Sequence, residues 1–165
     1  ADALNHDQLL TTIENSLIEN NISGSFFCFE ITETSAIANI ELARKTIMGI
    51  RQLGSRVSLD DFGTGMSSYS YLKELPVDYI KIDGVFVKNI ESDVIDHAFV
   101  KSITDIANAM EISTVAEWVE NENIVGTLKN IGVDYAQGFG ISKPMSYSAL
   151  IDHKTKIDAI IKKSF

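Results

Sequence analysis

Apolar and polar positions along the chain fall into blocks that predict short strands separated by helices. Four apolar segments each run into a carboxylate and a fifth runs into an amide; these polar residues are Glu30, Asp60 with Asp61, Asp83, Glu117 and Gln137. Short apolar runs of this kind are typical of buried strands. When parallel strands carry polar groups at their carboxyl ends, those groups converge on one face of the sheet or barrel.

Helical spacing of apolar residues fills the intervals between these segments. The predicted strands end near Glu30 and cover 56–60, 79–82, 113–116 and 133–136. The predicted helices cover about 9–18, 40–53, 67–74, 94–110 and 121–130, and a last helix begins near Tyr147. This alternation indicates an α/β fold with about five parallel strands. It fits a partial TIM-like (β/α) barrel or a five-stranded doubly wound sheet. The second alternative is weakened because no G-x-G-x-x-G sequence follows the first strand.

Composition narrows the class of protein. With 165 residues and 45% hydrophobic content, the chain is expected to form one domain, over residues 1–165. A net charge of −9 argues against nucleic-acid binding. No apolar run approaches the length of a membrane span, and no secretion signal is visible at the start. The single cysteine, Cys28, has apolar neighbours in the sequence and is expected to be a buried thiol. A single buried thiol suits a reducing cytoplasmic setting.

Carboxylates dominate the predicted strand ends. Adjacent Asp60 and Asp61 would repel each other unless a cation lay between them, and Mg²⁺ or Mn²⁺ suits such oxygen ligands. The alternative is a turn in which Asp61 accepts hydrogen bonds from the next loop amides. Glu30 is either a metal ligand or an exposed loop acid. Glu33 either holds the glycine-rich loop after Asp61 or caps the following helix.

Further polar residues extend this pattern. Lys81 would be a solvated strand lysine if taken alone, but beside the other strand ends it offers a charge for a phosphate or a water. Glu117 and Glu120 are candidates for a metal ligand and a base, or else acids in the first turn of a helix. Gln137 could bind a ligand oxygen or stabilise a turn. The set suggests two-metal hydrolysis of a phosphate ester.

Five motifs in order closely resemble the EAL domain family of bacterial cyclic di-GMP phosphodiesterases. They are EITE at 30–33, DDFGTG at 60–65, KID at 81–83, AEWVE at 116–120 and QGF at 137–139. The resemblance implies a TIM-like barrel in a signal-transduction protein. It also implies two Mg²⁺ or Mn²⁺ ions and hydrolysis of cyclic di-GMP to linear pGpG.

The resemblance also implies roles for individual residues. Glu30 resembles a ligand of the first metal, Asp60 the bridging ligand, and Asp61 and Glu117 ligands of the second metal. Lys81 resembles the residue that helps to bind and activate water. The expected supporting residues are Glu33 as the anchor of the loop 62–68, together with Asp83, Glu120 and Gln137.

The chain also departs from the family pattern. The Glu-Ala-Leu motif and the asparagine on the strand after it lie upstream in the family, so the chain resembles the C-terminal two thirds of the barrel. We therefore expect this chain alone to be inactive, and to associate with another copy or with the missing barrel portion. Trp118 replaces a glycine that is usual in this motif, and a tryptophan strains the backbone if the position requires a positive φ. The alternative function is a degenerate EAL domain that senses cyclic di-GMP or contacts a partner protein without catalysis.

Overall fold

The computed structural model describes residues 6–65 and 69–152, and the chain divides into two compact units. The first unit spans Ala1–Tyr79 and the second spans Ile80–Phe165. The helices are α1 His6–Glu19, α2 Glu33–Ala38, α3 Ile40–Gln52, α4 Gly84–Val87, α5 Val94–Ala109, α6 Glu122–Ile131 and α7 Tyr147–Asp152. The strands are β1 Cys28–Thr32, β2 Arg56–Phe62, β3 Tyr79–Ile82, β4 Ser113–Ala116 and β5 Tyr135–Ala136. Single 3₁₀ segments occupy Gly24–Phe26 and Tyr69–Glu74.

In the first unit, β1 and β2 form a parallel ladder with unequal faces. Phe29 and Ile31 pair with Val57 and Leu59, and both of the β2 residues are fully buried. The helix α3 begins at the Asn39 cap and supplies the facing apolar surface from Ala43, Ile47 and Ile50. Gly54, at φ 83°, then reverses the chain into β2. This apolar face forms the core of the unit and leaves the other face of the ladder polar.

In the second unit, β4 and β5 form a parallel pair, and the helices α5 and α6 each bury an apolar face. The helix α5 buries Val100, Ile103 and Ala107, and α6 buries Ile124, Leu128 and Ile131. Asn121 caps the start of α6, and Gly132 ends it in the left-handed region at φ 96°. These residues place Ala116 beside Ala136, where both strands end.

The tripeptide Val-Asp-Tyr occurs once in each unit and has the same structural role in both. Asp78 accepts a hydrogen bond from the Val57 amide at 2.9 Å. Asp134 likewise accepts the Thr114 amide at 2.7 Å. In each case the aspartate precedes a strand and binds the second residue of the strand before it. The repeated contact sets the entry point of β3 and of β5.

The predicted elements agree with the structure for β3, β4, α3, α5 and α6, with differences of at most two residues at the helix ends. The strand β2 is longer than predicted and continues to Phe62, whereas β1 ends two residues later than predicted, at Thr32. The strand β5 is shorter, because only Tyr135 and Ala136 pair with β4. The short helices α2 and α4 were not predicted. Residues 67 and 68, predicted to begin a helix, lie outside the described residues.

The prediction of a buried first strand and a buried Cys28 is wrong. Cys28 and Glu30 are exposed, and Phe27 before the strand is 41% exposed. The reason is that β1 pairs with β2 along one edge, and no other described strand pairs with it. None of the described helices has both the length and the apolar character required to cross a membrane. The prediction of one domain over residues 1–165 stays a prediction.

Candidate active site

The end of β2 carries the paired aspartates on a locally distorted backbone. Asp61 is the penultimate residue of β2 and has φ 54°, in the left-handed region. The residues on either side of the pair, Leu59 and Phe62, are both buried. Two polar residues therefore stand between two buried ones, where regular alternation would allow only one. This distortion leaves Asp60 half-buried and Asp61 exposed at the strand end.

Glu30 lies on the same face of the ladder as Asp60. The register pairs Glu30 with Ser58 and Thr32 with Asp60, and residues two apart on a strand share a face. Glu30 and Asp60 are thus diagonal neighbours on the polar face, opposite the apolar core. Glu30 was predicted to end its strand but is the third of five residues. Two carboxylates on one face form a donor set that suits a hard divalent cation such as Mg²⁺ or Mn²⁺.

Glu33 holds the loop that follows β2. Its buried side chain is 2% exposed, and Oε2 accepts hydrogen bonds from the amides of Gly63 at 3.0 Å and Gly65 at 3.1 Å. The Tyr71 hydroxyl donates to Oε1. The cap of α2 is Thr32, whose hydroxyl accepts from the Ser35 amide. The observed contacts are therefore those of the loop-anchoring alternative. The Gly63 amide is one of the loop amides that the turn alternative assigned to Asp61, and here it donates to Glu33.

Lys81 and Glu117 form a buried ion pair in the second unit. Lys81 Nζ lies 2.8 Å from Glu117 Oε1, and the two side chains are only 9% and 13% exposed. The Glu117 amide also donates to the Ile82 carbonyl at 3.1 Å, which joins the ends of β3 and β4. The solvated-lysine alternative for Lys81 is wrong, because burial requires a charged partner. Sequence spacing gave no signal that these two residues pair with each other.

A bulge after β4 turns successive side chains in different directions. The backbone N–H of Gln137 donates to the Ala116 carbonyl. The backbone carbonyl of Gln137 accepts a hydrogen bond from the Val119 N–H. A regular parallel ladder would use residue 118 for the second bond, so one extra residue is inserted here. Trp118 takes the inserted position at φ 54°. Its side chain is 59% exposed, whereas Val119 is fully buried.

The remaining predicted site residues lie in the same unit but make mainly local contacts. Asp83 caps α4, because its Oδ1 accepts the Val85 amide at 2.7 Å. Glu120 and Gln137 have exposed side chains. Gly138 is required where it stands, since an added Cβ would lie 2.3 Å from the Val119 backbone. Sequence reasoning missed Tyr71 and Gly84, because neither carries a motif or a periodic spacing.

Comparison with known proteins identifies the family. A model of the EAL domain matches residues 1–144. The chain belongs to the EAL domain family. This confirms the resemblance drawn from the five motifs. It also confirms the fold class, an α/β fold whose parallel strands alternate with helices as in part of a TIM-like barrel.

Relatives of this EAL domain include named phosphodiesterases. The cyclic di-GMP phosphodiesterase PdeB of Shewanella oneidensis is 52% identical over 124 residues, which are 75% of this chain and 14% of PdeB. The solved PaMucR phosphodiesterase, in complex with cyclic di-GMP, is 32% identical with a TM-score of 0.82 over 86% of this chain and 57% of its own.

A third relative was solved with a divalent cation. BlrP1 of Klebsiella pneumoniae, in a complex with calcium and cyclic di-GMP, is 30% identical with a TM-score of 0.76. The match covers 82% of this chain and 34% of the BlrP1 chain. The EAL chain described here therefore corresponds to a minor part of its curated relatives and to about half of a solved one.

Proposed function

We propose that this EAL chain is part of a phosphodiesterase that hydrolyses cyclic di-GMP to linear pGpG with two divalent cations. Family membership and the relatives named above support the substrate class. We propose Glu30, Asp60, Asp61 and Glu117 as the metal ligands that this chain contributes. The cytoplasmic location expected from the sequence belongs to the same proposal.

The observation that carries the proposal is the buried pair of Lys81 and Glu117. A lysine ammonium held at 2.8 Å from a carboxylate, with both side chains shielded, is a costly arrangement in a folded protein. It positions a positive group on β3 beside a negative group at the end of β4. Groups of this kind can orient a water and a phosphate oxygen in a site that handles a phosphodiester.

The residues of this chain divide the proposed work by their chemistry. Glu30 and Asp60 offer carboxylate oxygens from one face of the β1–β2 ladder. Lys81 donates a hydrogen bond from its ammonium, which would orient the attacking water or a phosphate oxygen. Glu33 fixes the loop after Asp61 through the Gly63 and Gly65 amides. Divalent cations, when bound, would lower the pKa of the attacking water and neutralise phosphate charge.

We further propose that the exposed edge of β1 is covered in the working protein. Phe26 and Phe27 are 81% and 41% exposed beside this edge. An uncovered apolar strand edge favours pairing with another chain. The expected occupant is the upstream barrel portion of the family or a second copy of this chain. Two results together would contradict this part of the proposal. They are a monomer at every concentration in gel filtration and rapid hydrogen exchange of the β1 backbone amides.

A hydrolysis assay tests the function. We expect a longer version that includes the upstream Glu-Ala-Leu region to convert cyclic di-GMP to pGpG with Mg²⁺. Hydrolysis should stop when the metal is chelated. The 165-residue chain alone is expected to be inactive. Asp61→Asn should reduce turnover of the longer version by about 100-fold or more. Glu91→Gln, which removes an exposed loop acid, is the matched control and should have no effect.

The same assay separates the alternative function. A cyclic di-GMP sensor would bind the ligand tightly in both versions without turnover. The strained Trp118 beside Glu117 is the observation that favours this second candidate, since it alters the backbone of a proposed ligand. Binding without hydrolysis in the longer, metal-loaded version would overturn the phosphodiesterase proposal in favour of the sensor.

A further inference from the structure

Trp118 is the most unusual side chain of the second unit. It is the single tryptophan of the chain, and it follows the proposed metal ligand Glu117 directly. Its side chain is 59% exposed although its neighbour Val119 is fully buried. An indole of this size is normally well buried in a folded domain. Its exposure at the end of β4 therefore calls for a physical reason.

The backbone conformation of Trp118 is unfavourable for a residue that is not glycine. A non-glycine residue in the left-handed region is disfavoured because its Cβ crowds the following carbonyl oxygen, and Trp118 has φ 54°. Glycine would remove that cost, and it is the residue expected from the family motif. Residues kept in unfavourable backbone regions cluster at ligand-binding and catalytic sites.

Packing fixes the orientation of the indole. An added Cβ at Gly84 would lie 2.2 Å from Cγ and 2.4 Å from Cδ2 of Trp118, so the ring lies directly over the Gly84 backbone. Gly84 is itself buried at the start of α4, behind the Asp83 cap. One part of the ring is thus held by the protein, while the remainder faces solvent as a flat and rigid aromatic surface.

The neighbouring groups suit a nucleotide. Trp118 follows Glu117 directly in the sequence, and Glu117 is paired with Lys81. This pair is the one proposed to act on the phosphodiester. Phe139 is another exposed aromatic residue, at 67%, and it follows the neighbouring strand β5. A purine base attached to a phosphate bound near Lys81 would have an aromatic surface within reach. Stacking of a base on an aromatic side chain contributes substantially to nucleotide binding.

We infer that Trp118 is a stacking platform for a guanine base of cyclic di-GMP and so contributes to the affinity for this ligand. The inference rests on the proposed function, because it requires the phosphodiester to bind beside Glu117. The strain at Trp118 is then retained because the inserted position of the bulge directs the indole toward the ligand.

Ligand binding by Trp118 variants tests the inference. The protein is the longer version, loaded with Ca²⁺, and the measurement is the Kd for cyclic di-GMP by calorimetry. We expect Trp118→Leu to weaken binding about tenfold and Trp118→Phe to stay within about threefold of the unaltered protein. Leucine, phenylalanine and tryptophan share the same backbone strain, so the difference between the variants reports stacking. Tyr147→Leu, which changes an exposed aromatic residue at the start of α7, is the control and should bind normally.

Fluorescence provides a second readout that a purely structural role would not change. The difference between the emission of the unaltered protein and that of Trp118→Phe isolates Trp118, and cyclic di-GMP should quench it. Absence of quenching, or equal affinity of Trp118→Leu and the unaltered protein, would overturn the inference while leaving the proposed function intact. Failure of the unaltered protein to bind cyclic di-GMP would overturn both.

Discussion

The ends of β2 and β4 use the same backbone device with different side chains. In each, a proposed metal ligand is followed by a residue at φ 54°, which is Asp61 after Asp60 and Trp118 after Glu117. A buried apolar residue comes next in both cases, Phe62 and Val119. Aspartate tolerates the left-handed region well, whereas tryptophan is strained there. The comparison teaches that the same backbone device presents an aspartate at the end of β2 and an indole after β4.

The two ends are also supported differently. In the first unit a single carboxylate, Glu33, holds two loop amides and the Tyr71 hydroxyl. In the second unit the support is an ion pair, Lys81 with Glu117, together with the contact of Trp118 on Gly84. Removal of each support should therefore have a distinct energetic consequence, and the size of that consequence tests the comparison.

The largest effect is expected at the ion pair. Lys81→Met removes the ammonium that lies 2.8 Å from the shielded Glu117 carboxylate, and loss of one member of a buried pair costs about 3–5 kcal/mol of unfolding free energy. Urea denaturation of the variant measures this. The control is Lys101→Met, which removes a pair of similar length, 2.9 Å to Asp105, with side chains 51% and 59% exposed. That variant should lose at most about 0.5 kcal/mol.

A double variant sharpens this prediction. Glu117→Gln in the Lys81→Met background removes the isolated charge and should recover more than half of the lost stability. Equal losses in Lys81→Met and Lys101→Met would contradict the view that the end of β4 is held by a shielded ion pair.

The next effect concerns the loop anchor in the first unit. Glu33→Gln keeps the shape of the side chain but turns an amide nitrogen toward groups that also donate. We expect a loss of about 2 kcal/mol, typical of a buried charged hydrogen-bond acceptor. Hydrogen exchange at the Gly63 and Gly65 amides should accelerate, while Glu14→Gln on the exposed side of α1 should change neither quantity. Unchanged exchange at both glycines would show that Glu33 does not hold the loop.

How far the sequence predicts this molecule depends on which interactions determine each feature. The strands β3 and β4 are predicted to the residue because their apolar runs are bounded by turn residues and carboxylates. The helices α2 and α4 have six and four residues, too few for a helical period to be visible. Their starts are set by the Thr32 and Asp83 caps, which act through hydrogen bonds and not through apolar spacing.

The sequence names candidate site residues but not the contacts between them. Motif order gave Glu30, Asp60, Asp61, Lys81 and Glu117 as candidates. It could not give the pairing of Lys81 with Glu117, because an ion pair between different strands leaves no spacing in the sequence. Nor could it show Cys28 exposed, since the apolar neighbours of a strand do not reveal whether its second edge is covered. Positive φ at Trp118 was expected only through the glycine that it replaces.

A smaller effect tests the contact under Trp118. Gly84→Ala places a methyl group in conflict with the indole and should cost about 2 kcal/mol of stability. In a Trp118→Gly background the same change should cost nothing measurable, because the conflicting atoms are gone. Gly126→Ala in α6 is the control, since an added Cβ there meets nothing within 4 Å and should stabilise the helix by about 0.5–1 kcal/mol. A loss that persists without the indole would place the conflict elsewhere.

The smallest effect is expected where strain and packing oppose each other. Trp118→Gly relieves the left-handed backbone but removes the contact on Gly84, so unfolding free energy should change by less than about 1 kcal/mol. Glu111→Gly isolates the first contribution, because Glu111 is exposed at φ 59° after α5, and it should stabilise by about 0.5–1 kcal/mol. The difference between the two changes measures the packing of the indole. If Trp118→Gly stabilises as much as Glu111→Gly, that packing contributes nothing, and the strain at β4 has no structural compensation within the domain.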